Sequence, residues 1–460
     1  MKKLYFTCFL LCFCANIFAQ HDFSASYNAG HGNKTFYYRI ISNDVPTVAV
    51  TYRGTTMTQY ANTYTTYIVV PPTVTQGTGA NIITYQVTSI DAGAFNGCTT
   101  LDSVVLPSSI TFIDSLAFLN CTKMTKCVLP SNINFIAARA FERCINLPNI
   151  VLPNNITKIS RGTFRDCQNL TSVTIPDMVN TIGEQAFLNC TSLEEVNISS
   201  SVTRISPSSF LGCWGLNSIN VHEDNTKFMS EDGVLYSHLQ DTLIMYPPKK
   251  LGTEFTTPNN VKYIGDYSFA YNLYLKKINF NNSVTKIGTA AFYSDTSTGL
   301  AEINISDSVS YIGKSAFYNC RNLDLIKIKA TTPPELQEFA FYNVPNSVSI
   351  IVQCDFVEEY KKSQWGESFI NIQGSNCTTD IPETEYRQEE NIFPNPVKDN
   401  LFININDRIE RVEIYSINGS LMILENNFID KISMANFPQG IYLVKILTNK
   451  SVITRKIIKN

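Results

Sequence analysis

The chain has 460 residues, 44% of them hydrophobic and 12% aromatic, with only 16% charged residues and a formal net charge of -3. That much core-forming material implies order along the whole chain. A near-neutral balance without a long basic run gives no field to hold a polyphosphate, so no nucleic acid is expected as a partner.

Residues 1–19 run from Met1-Lys2-Lys3 through an apolar stretch, Leu4 to Phe18, to Ala19 before Gln20, which is the order of an export signal. Its apolar core is short of the roughly 20 residues a membrane span needs, and no second candidate follows, so no transmembrane segment is expected in the mature chain. Residues 20–80 are dense in Tyr, Thr and Val, as in Tyr37-Tyr38-Arg39-Ile40 and Val48-Ala49-Val50-Thr51-Tyr52. Standing before a repeat array, they read as an N-terminal β cap that covers its open end.

From residue 81 the chain repeats. Phe95, Phe118, Phe141, Phe164, Phe187 and Phe210 stand 23 residues apart, as do Phe269 and Phe292, and Phe317 and Phe341 continue at 25 and 24. Around them the unit reads I-x-x-x-A-F-x-x-C-x-x-L-x-x-V-x-L-P-x-x-I. Leu101, Val104 and Leu106 fit an inward-facing strand that Pro107 ends, and Ile113 to Phe118 fits a short helical turn on the opposite side. One such unit cannot bury both apolar edges, so units stack, about 4.8 Å apart, into a mainly β solenoid of about ten coils. Between Phe210 and Phe269 the period breaks. Residues 223–258 carry two apolar runs, Val234-Leu235-Tyr236 and Leu243-Ile244-Met245-Tyr246, that read as a β-hairpin inserted into the stack.

At these residues the chain resembles the BspA-like leucine-rich repeat family of bacterial surface proteins, over residues 81–350. The family's Ile-Gly dipeptides stand at Ile182-Gly183, Ile264-Gly265, Ile287-Gly288 and Ile312-Gly313. The resemblance implies a leucine-rich-repeat solenoid with parallel strands and short convex helical turns, and it makes the hairpin an in-family decorated coil. It also implies attachment to a protein partner, such as a host matrix or another cell surface.

A C-terminal cap is expected at residues 351–377 and a polar, mostly acidic linker at residues 378–390. Residues 391–460 then alternate in hydrophobicity between turn signals, as a small β-sandwich of about seven short strands does. Pro394-Asn395-Pro396, the turn at Gly419, the run Gly440-Ile441-Tyr442 and Lys456 near the end resemble the type A C-terminal sorting domain of the type IX secretion system. That resemblance implies the type IX machinery as a partner, passage through the outer membrane, and either release or attachment at the cell surface.

Cys98, Cys121, Cys144, Cys167, Cys190 and Cys213 each lie three residues after a repeat Phe, and Cys320 resumes the column. Metal clusters and thiol enzymes set cysteines at short spacings beside a His, which this column does not, so it reads as structural. Parallel Cβ vectors disfavour disulfides along it, and buried free thiols are expected, with Cys127 as one more. Cys354 and Cys377 stand outside the column, where a disulfide is expected. The four histidines sit in no catalytic motif. His222, Glu223, Asp224 and His238 share the insertion and read as solvated loop residues. No cofactor, metal or enzymatic activity is expected.

The outward strand column reads Val105, Val128, Val151, Thr174, Asn197, Asn220, Asn279, Asn304, Lys327, and its neighbour Ser103, Lys126, Asn149, Ser172, Glu195, Ser218, Lys277, Glu302, Leu325. This face is the expected ligand site, because repeat arrays present one broad surface to extended partners. Protein binding or adhesion is the leading expectation. Glycan capture is the alternative and calls for aromatic residues in these columns; a hydrolase using a hidden carboxylate pair is the remote one.

Overall fold

The computed structural model describes residues 21–28, 33–54, 64–294, 299–375, 391–405, 407–426, 431–450 and 452–460. These form two compact units, residues 1–377 and 378–460. The expected export signal and the linker at 378–390 lie outside the described residues.

The first unit is a parallel β-solenoid. Successive coils supply the strands Leu101–Val105 and Lys126–Val128, then Ser172–Thr174, Glu195–Ile198 and Ser218–Val221. They pair in parallel with Val104 opposite Cys127, and with Val173, Val196 and Ile219 in line. All five side chains point inward and are buried, as a period of two dictates. The proline after the strand turns the chain: the N–H groups of Ile110, Ile133 and Val179 donate to the carbonyls of Pro107, Pro130 and Pro176 at 3.1, 3.3 and 3.0 Å.

A second ladder of two-residue strands follows on the next side of the coil, with Phe112–Ile113 pairing Phe135–Ile136, and Lys158–Ile159 pairing Thr181–Ile182. Beyond it, the segment expected to be a short helical turn is a run of linked turns instead. Leu116, Asn120, Arg139, Arg143, Asp166 and Asn189 have φ of 59–61°, a left-handed conformation that a right-handed helix does not contain. The N–H groups of Phe95, Phe118 and Phe164 donate to Ala117, Ala140 and Ala186 of the next coil at 2.7, 2.8 and 2.8 Å. The N–H groups between them bond three residues back, as Leu119 to Leu116 and Cys121 to Phe118 at 3.0 and 3.2 Å, so bonds within turns alternate with bonds between coils and no continuous helix forms. The same closeness explains the Ile-Gly pairs: a Cβ on Gly313 would lie 2.7 Å from the Gly288 carbonyl carbon.

In the interior, Phe95, Phe118, Phe141, Phe164, Phe187 and Phe210 form one stack, with centroids 4.9–5.6 Å apart and planes within 4–13°. Each following thiol bonds one coil back: Cys121, Cys144, Cys167, Cys190 and Cys213 donate to the carbonyls of Phe95, Phe118, Phe141, Phe164 and Phe187 at 3.1–3.3 Å, and Cys320 to Phe292 at 3.4 Å. The thiols of the column and Cys127 are free and buried. Burial pushes the Cys127 thiol up to about 12 and the Cys121 and Cys144 thiols well above their ordinary value. Asn272 takes the thiol's place after Phe269, its Nδ2 donating to the carbonyls of Pro247 and Pro248 at 3.2 and 3.3 Å.

Two features interrupt the strand ladder. At Asn149–Leu152 no strand forms, although Ile150 and Leu152 are buried. In the coils on either side, Thr125 and Thr171 donate at this point of the rung to the preceding coil; Pro148 has no N–H to do so. The second interruption is the insertion. Phe228–Glu231 and Val234–Ser237 form a hairpin, and Thr242–Met245 pairs antiparallel with the latter and parallel with Tyr263–Ile264. Leu235 belongs to the core on one side, Val234 and Tyr236 to the core on the other, so this strand is a partition inside the stack.

The stack has about 12 coils, more than the ten expected, because non-repeat segments join both ends. Thr66–Val69 pairs parallel with Leu101–Val105, and Tyr64 sets its ring 4.8 Å from Phe95. At the other end Ile372–Ser375 pairs with Ser349–Gln353, and Trp365 and Phe369 cover Phe341 at 5.3 and 5.2 Å. Cys354 is disulfide-bonded; Cys377, its expected partner, lies outside the described residues.

The second unit is an antiparallel sandwich. Asn391–Phe393, Asn400–Asn404 and Lys431–Ser433 form one sheet, and Leu421–Glu425, Ile409–Ser416, Gly440–Thr448 and Val452–Lys459 the other. Leu401, Val412, Ile414, Met434, Val444 and Ile446 fill the space between them.

Because Phe164 stacks on both neighbours, Phe164→Ala is expected to cost about 3–5 kcal/mol. Cys167→Ala, which removes one thiol and its single bond, is expected to cost about 1–2 kcal/mol. Urea unfolding of the full chain followed by circular dichroism gives the order; equal midpoints for the two variants would contradict it.

Candidate functional site

The outward side of the strand ladder carries the residues picked out by the repeat, distributed over three separate sheets. Ser103 and Val105 lie on the first with Lys126 and Val128; Ser172, Thr174, Glu195, Asn197, Ser218 and Asn220 lie on the second; Lys277, Asn279, Glu302, Asn304, Leu325 and Lys327 lie on the third. Asn149 and Val151 stand in the unpaired rung between the first two. Asn220 and Asn279 are not ladder neighbours, because the hairpin takes the edge beyond Asn220: the Ile219 N–H donates to the Gly233 carbonyl at 2.9 Å and the Val221 N–H to Ser230 Oγ at 3.0 Å.

Past the hairpin the face is a closed polar network. Lys277 Nζ lies 3.1 Å from Glu254 Oε1, and Lys327 Nζ donates to Glu302 Oε1 at 2.9 Å. Asn279 Nδ2 donates to Glu254 at 2.8 Å, and Asn304 Nδ2 to Asn279 Oδ1 at 2.6 Å and to Glu302 at 3.1 Å. Hydrogen bonds from Asn279 and Lys277 hold the Glu254 carboxyl below its ordinary value. Burial pushes Glu302 up, but the bonds from Lys327 and Asn304 outweigh it and the net direction is down. The bond to Glu254 raises Lys277 in turn. Before the hairpin, Asn220 Nδ2 reaches Glu195 and Asn197 at 2.5 and 3.2 Å.

The first part of the face is different. Val128 is 40% exposed and Val151 84%, in line with half-buried Val105 and with Val69 one rung earlier. Val151 stands out furthest because Pro148 frees its rung from the ladder. Lys126 and Asn149 are the exposed polar residues beside it.

A feature that the strand columns do not reveal lies on the turn edge. Tyr271, Tyr293, Tyr318 and Tyr342 follow one another at 5.8, 5.2 and 5.0 Å, with Trp214 6.4 Å from Tyr271 at one end and Phe339 5.7 Å from Tyr342 at the other. The dipeptides Phe292-Tyr293, Phe317-Tyr318 and Phe341-Tyr342 are its signal in the sequence. From Tyr293 to Tyr342 the rings stack on one another with planes 16–17° apart.

In the insertion, His222 and His238 are exposed, and His222 Nδ1 accepts from the Asp224 N–H at 3.2 Å. Among the described residues no three His, Cys, Asp or Glu side chains converge as a metal site would require. No helix among them is long and apolar enough to cross a membrane.

In the second unit the motif residues hold the fold. Asn395 and Val397 bond the last strand, Gly419 has φ 81° in the turn after Ser416, and the buried Tyr442 donates its hydroxyl to the Pro438 carbonyl at 2.8 Å. Pro394 and Pro396 follow cis peptide bonds. Gly440 begins the strand Gly440–Thr448, and Lys456 is exposed opposite Leu443.

A parallel solenoid closed at both ends, followed by a separate small sandwich, defines a repeat protein fitted with an export domain. The chain belongs to the BspA type leucine rich repeat family, whose model matches residues 79–160, 117–232 and 249–371 in 6 copies. Residues 391–460 match the secretion system C-terminal sorting domain, which marks the chain for type IX export to the cell surface or the medium. A leucine rich cell surface protein from Faecalibacterium prausnitzii is 26% identical, with a TM-score of 0.57 over 78% of this chain and 96% of that one. The pneumococcal vaccine antigen PcpA is 22% identical, with a TM-score of 0.56 over 77% and 99%, and shares the fold. No curated protein matches the chain significantly.

The polar network predicts a pH dependence. Glu254 and Glu302 have folded values below the ordinary 4.5, so their stabilisation is present above the unfolded value and is lost as pH falls through the lowered folded values. Glu302→Gln is expected to lower the thermal midpoint at neutral pH, with the gap to wild type closing in acid. A gap that stays constant into strong acid would contradict this.

Proposed function

We propose that the chain is a non-catalytic binding protein displayed at the cell surface, which holds a protein partner on the outward side of its strand ladder. The observation that carries this reading is the apolar block of Val105, Val128 and Val151, flanked by the exposed Lys126 and Asn149. Exposed apolar residues gathered in one place mark contact surfaces, and an exposed polar rim beside them is the anatomy of a protein interface. The likeness to the Faecalibacterium cell surface protein supports display. The type IX machinery is the partner in transit, and a host matrix or another cell surface the partner after it.

Glycan capture rests on ring faces open to stack on sugar. From Val105 to Lys327 the strand columns hold no aromatic residue, and Tyr67, opposite Ser103 one rung earlier, is half-buried; Tyr293, Tyr318 and Tyr342 of the turn edge stack face to face, so the protein reading is preferred. A hydrolase needs a free carboxylate pair, whereas Glu254 and Glu302 are each bonded to lysine and asparagine.

The test is a pull-down with the tagged full chain against host-matrix and bacterial-envelope proteins, with Val128→Lys/Val151→Lys alongside. Each buried valine is worth about 1.5 kcal/mol or more, so the double variant is expected to bind at least about tenfold more weakly, with an unchanged thermal midpoint. Equal capture by both forms would contradict the assigned face.

A further inference from the structure

The four-stranded sheet of the sorting domain has two edges, and the chain treats them oppositely. At one, the strand Val452–Lys459 is covered by the segment around Asn395. The Asn395 Nδ2 donates to the Lys456 carbonyl at 3.0 Å, its Oδ1 accepts from the Ile458 N–H at 2.8 Å, and the Val397 N–H donates to the Ile458 carbonyl at 2.7 Å. An amide side chain standing in for a peptide group closes this edge to further strands.

At the opposite edge lies Leu421–Glu425, which among the described residues pairs only with Ile409–Ser416. Its sequence, LMILE, has no lysine or proline, and Leu421, Met422 and Leu424 are 50%, 44% and 49% exposed. The register places Leu421 opposite Tyr415 and Leu424 opposite Glu413, on the sheet face that also carries Leu443 and Lys456. The one carboxylate there is held within the sheet: Glu413 is enclosed by Arg411 at 2.8 Å, the Tyr415 hydroxyl at 2.8 Å and Lys445 at 3.6 Å. Proteins usually blunt such an edge with charge, proline or a bulge, and the single irregularity here is the bulge at Met422. An apolar edge that no other described strand covers is a template for strand addition from another chain.

We propose that the edge Leu421–Glu425 is where an extended segment of the export machinery adds as a fifth strand. The occupant follows from the family match, on which this proposal rests: being read by a secretion system is the role that match gives the domain. Pairing through main-chain groups supplies affinity, and apolar pockets for Leu421, Met422 and Leu424 supply register.

The test is export of the full chain in a bacterium carrying this secretion system, comparing wild type, Met422→Lys, Leu424→Lys and a chain lacking residues 391–460. Surface and medium fractions are compared with the periplasm by immunoblot, and each purified full-length variant is checked by thermal unfolding. The expected result is a fall of at least about tenfold in exported protein for both lysine variants, with periplasmic accumulation and a wild-type unfolding midpoint. Wild-type export of the lysine variants, while the truncated chain is retained, overturns the proposal and leaves the family reading standing; export of the truncated chain overturns the family reading itself. If Leu424→Lys destabilises the domain, Met422→Lys, at the bulge, decides alone. A purified wild-type dimer that Met422→Lys converts to monomer, without loss of export, assigns the edge to a second copy and also overturns the proposal.

Discussion

The structure depends on the registration of one coil on the next. A coil returns the same residue types to the same place after one period, so backbone groups meet their partners in the neighbouring coil and the phenylalanines meet face to face. The Phe95 to Phe210 stack and the thiol bonds that follow it show this most directly, since each Cys reaches back to the Phe carbonyl of the coil before. A shift of one residue would move the inward set to the outside of every strand, so the period is strongly specified. Such an array is stabilised by contacts between nearest neighbours, which is why both ends carry covers: Tyr64 over Phe95, and Trp365 with Phe369 over Phe341.

Registration also fixes what the surface can offer. Positions that point out recur at one per coil and form columns, so a local sequence change becomes a change along a face. The valines give an apolar block, the Asn, Glu and Lys residues after the hairpin bond across coils, and the tyrosines stack along the turn edge. Pro148 illustrates how a single residue alters the pattern. By removing one N–H it releases a rung and leaves Val151 the most exposed of the valines. The hairpin acts on a larger scale, dividing both the ladder and the core.

Much of this was legible in the sequence, because the period is set by hydrophobic residues whose spacing is visible. The Phe column, the inward strand residues and the closing prolines follow from it, and the sorting domain was recognisable from its motif. The turn edge was not: left-handed conformations at Leu116, Arg139 and Asp166 sit on residues that carry no glycine signature, so a helical turn was the natural expectation. The number of coils was underestimated, since the strands Thr66–Val69 and Ile372–Ser375 join the ladder without the repeat pattern. Of the face, the columns could be read but not their chemistry, because which polar groups bond one another depends on side chains from different coils.

The most direct measurement of the registered core is thiol labelling of the native full chain, mapped by mass spectrometry. The eight free cysteines at 98, 121, 127, 144, 167, 190, 213 and 320 are buried, and their reactivity reports whether each coil holds its place. The structure predicts that none of them reacts before unfolding and that all react in denaturant. Rapid native labelling along the column, or disulfides between neighbouring column residues, would contradict the stacking on which the fold and its displayed face depend.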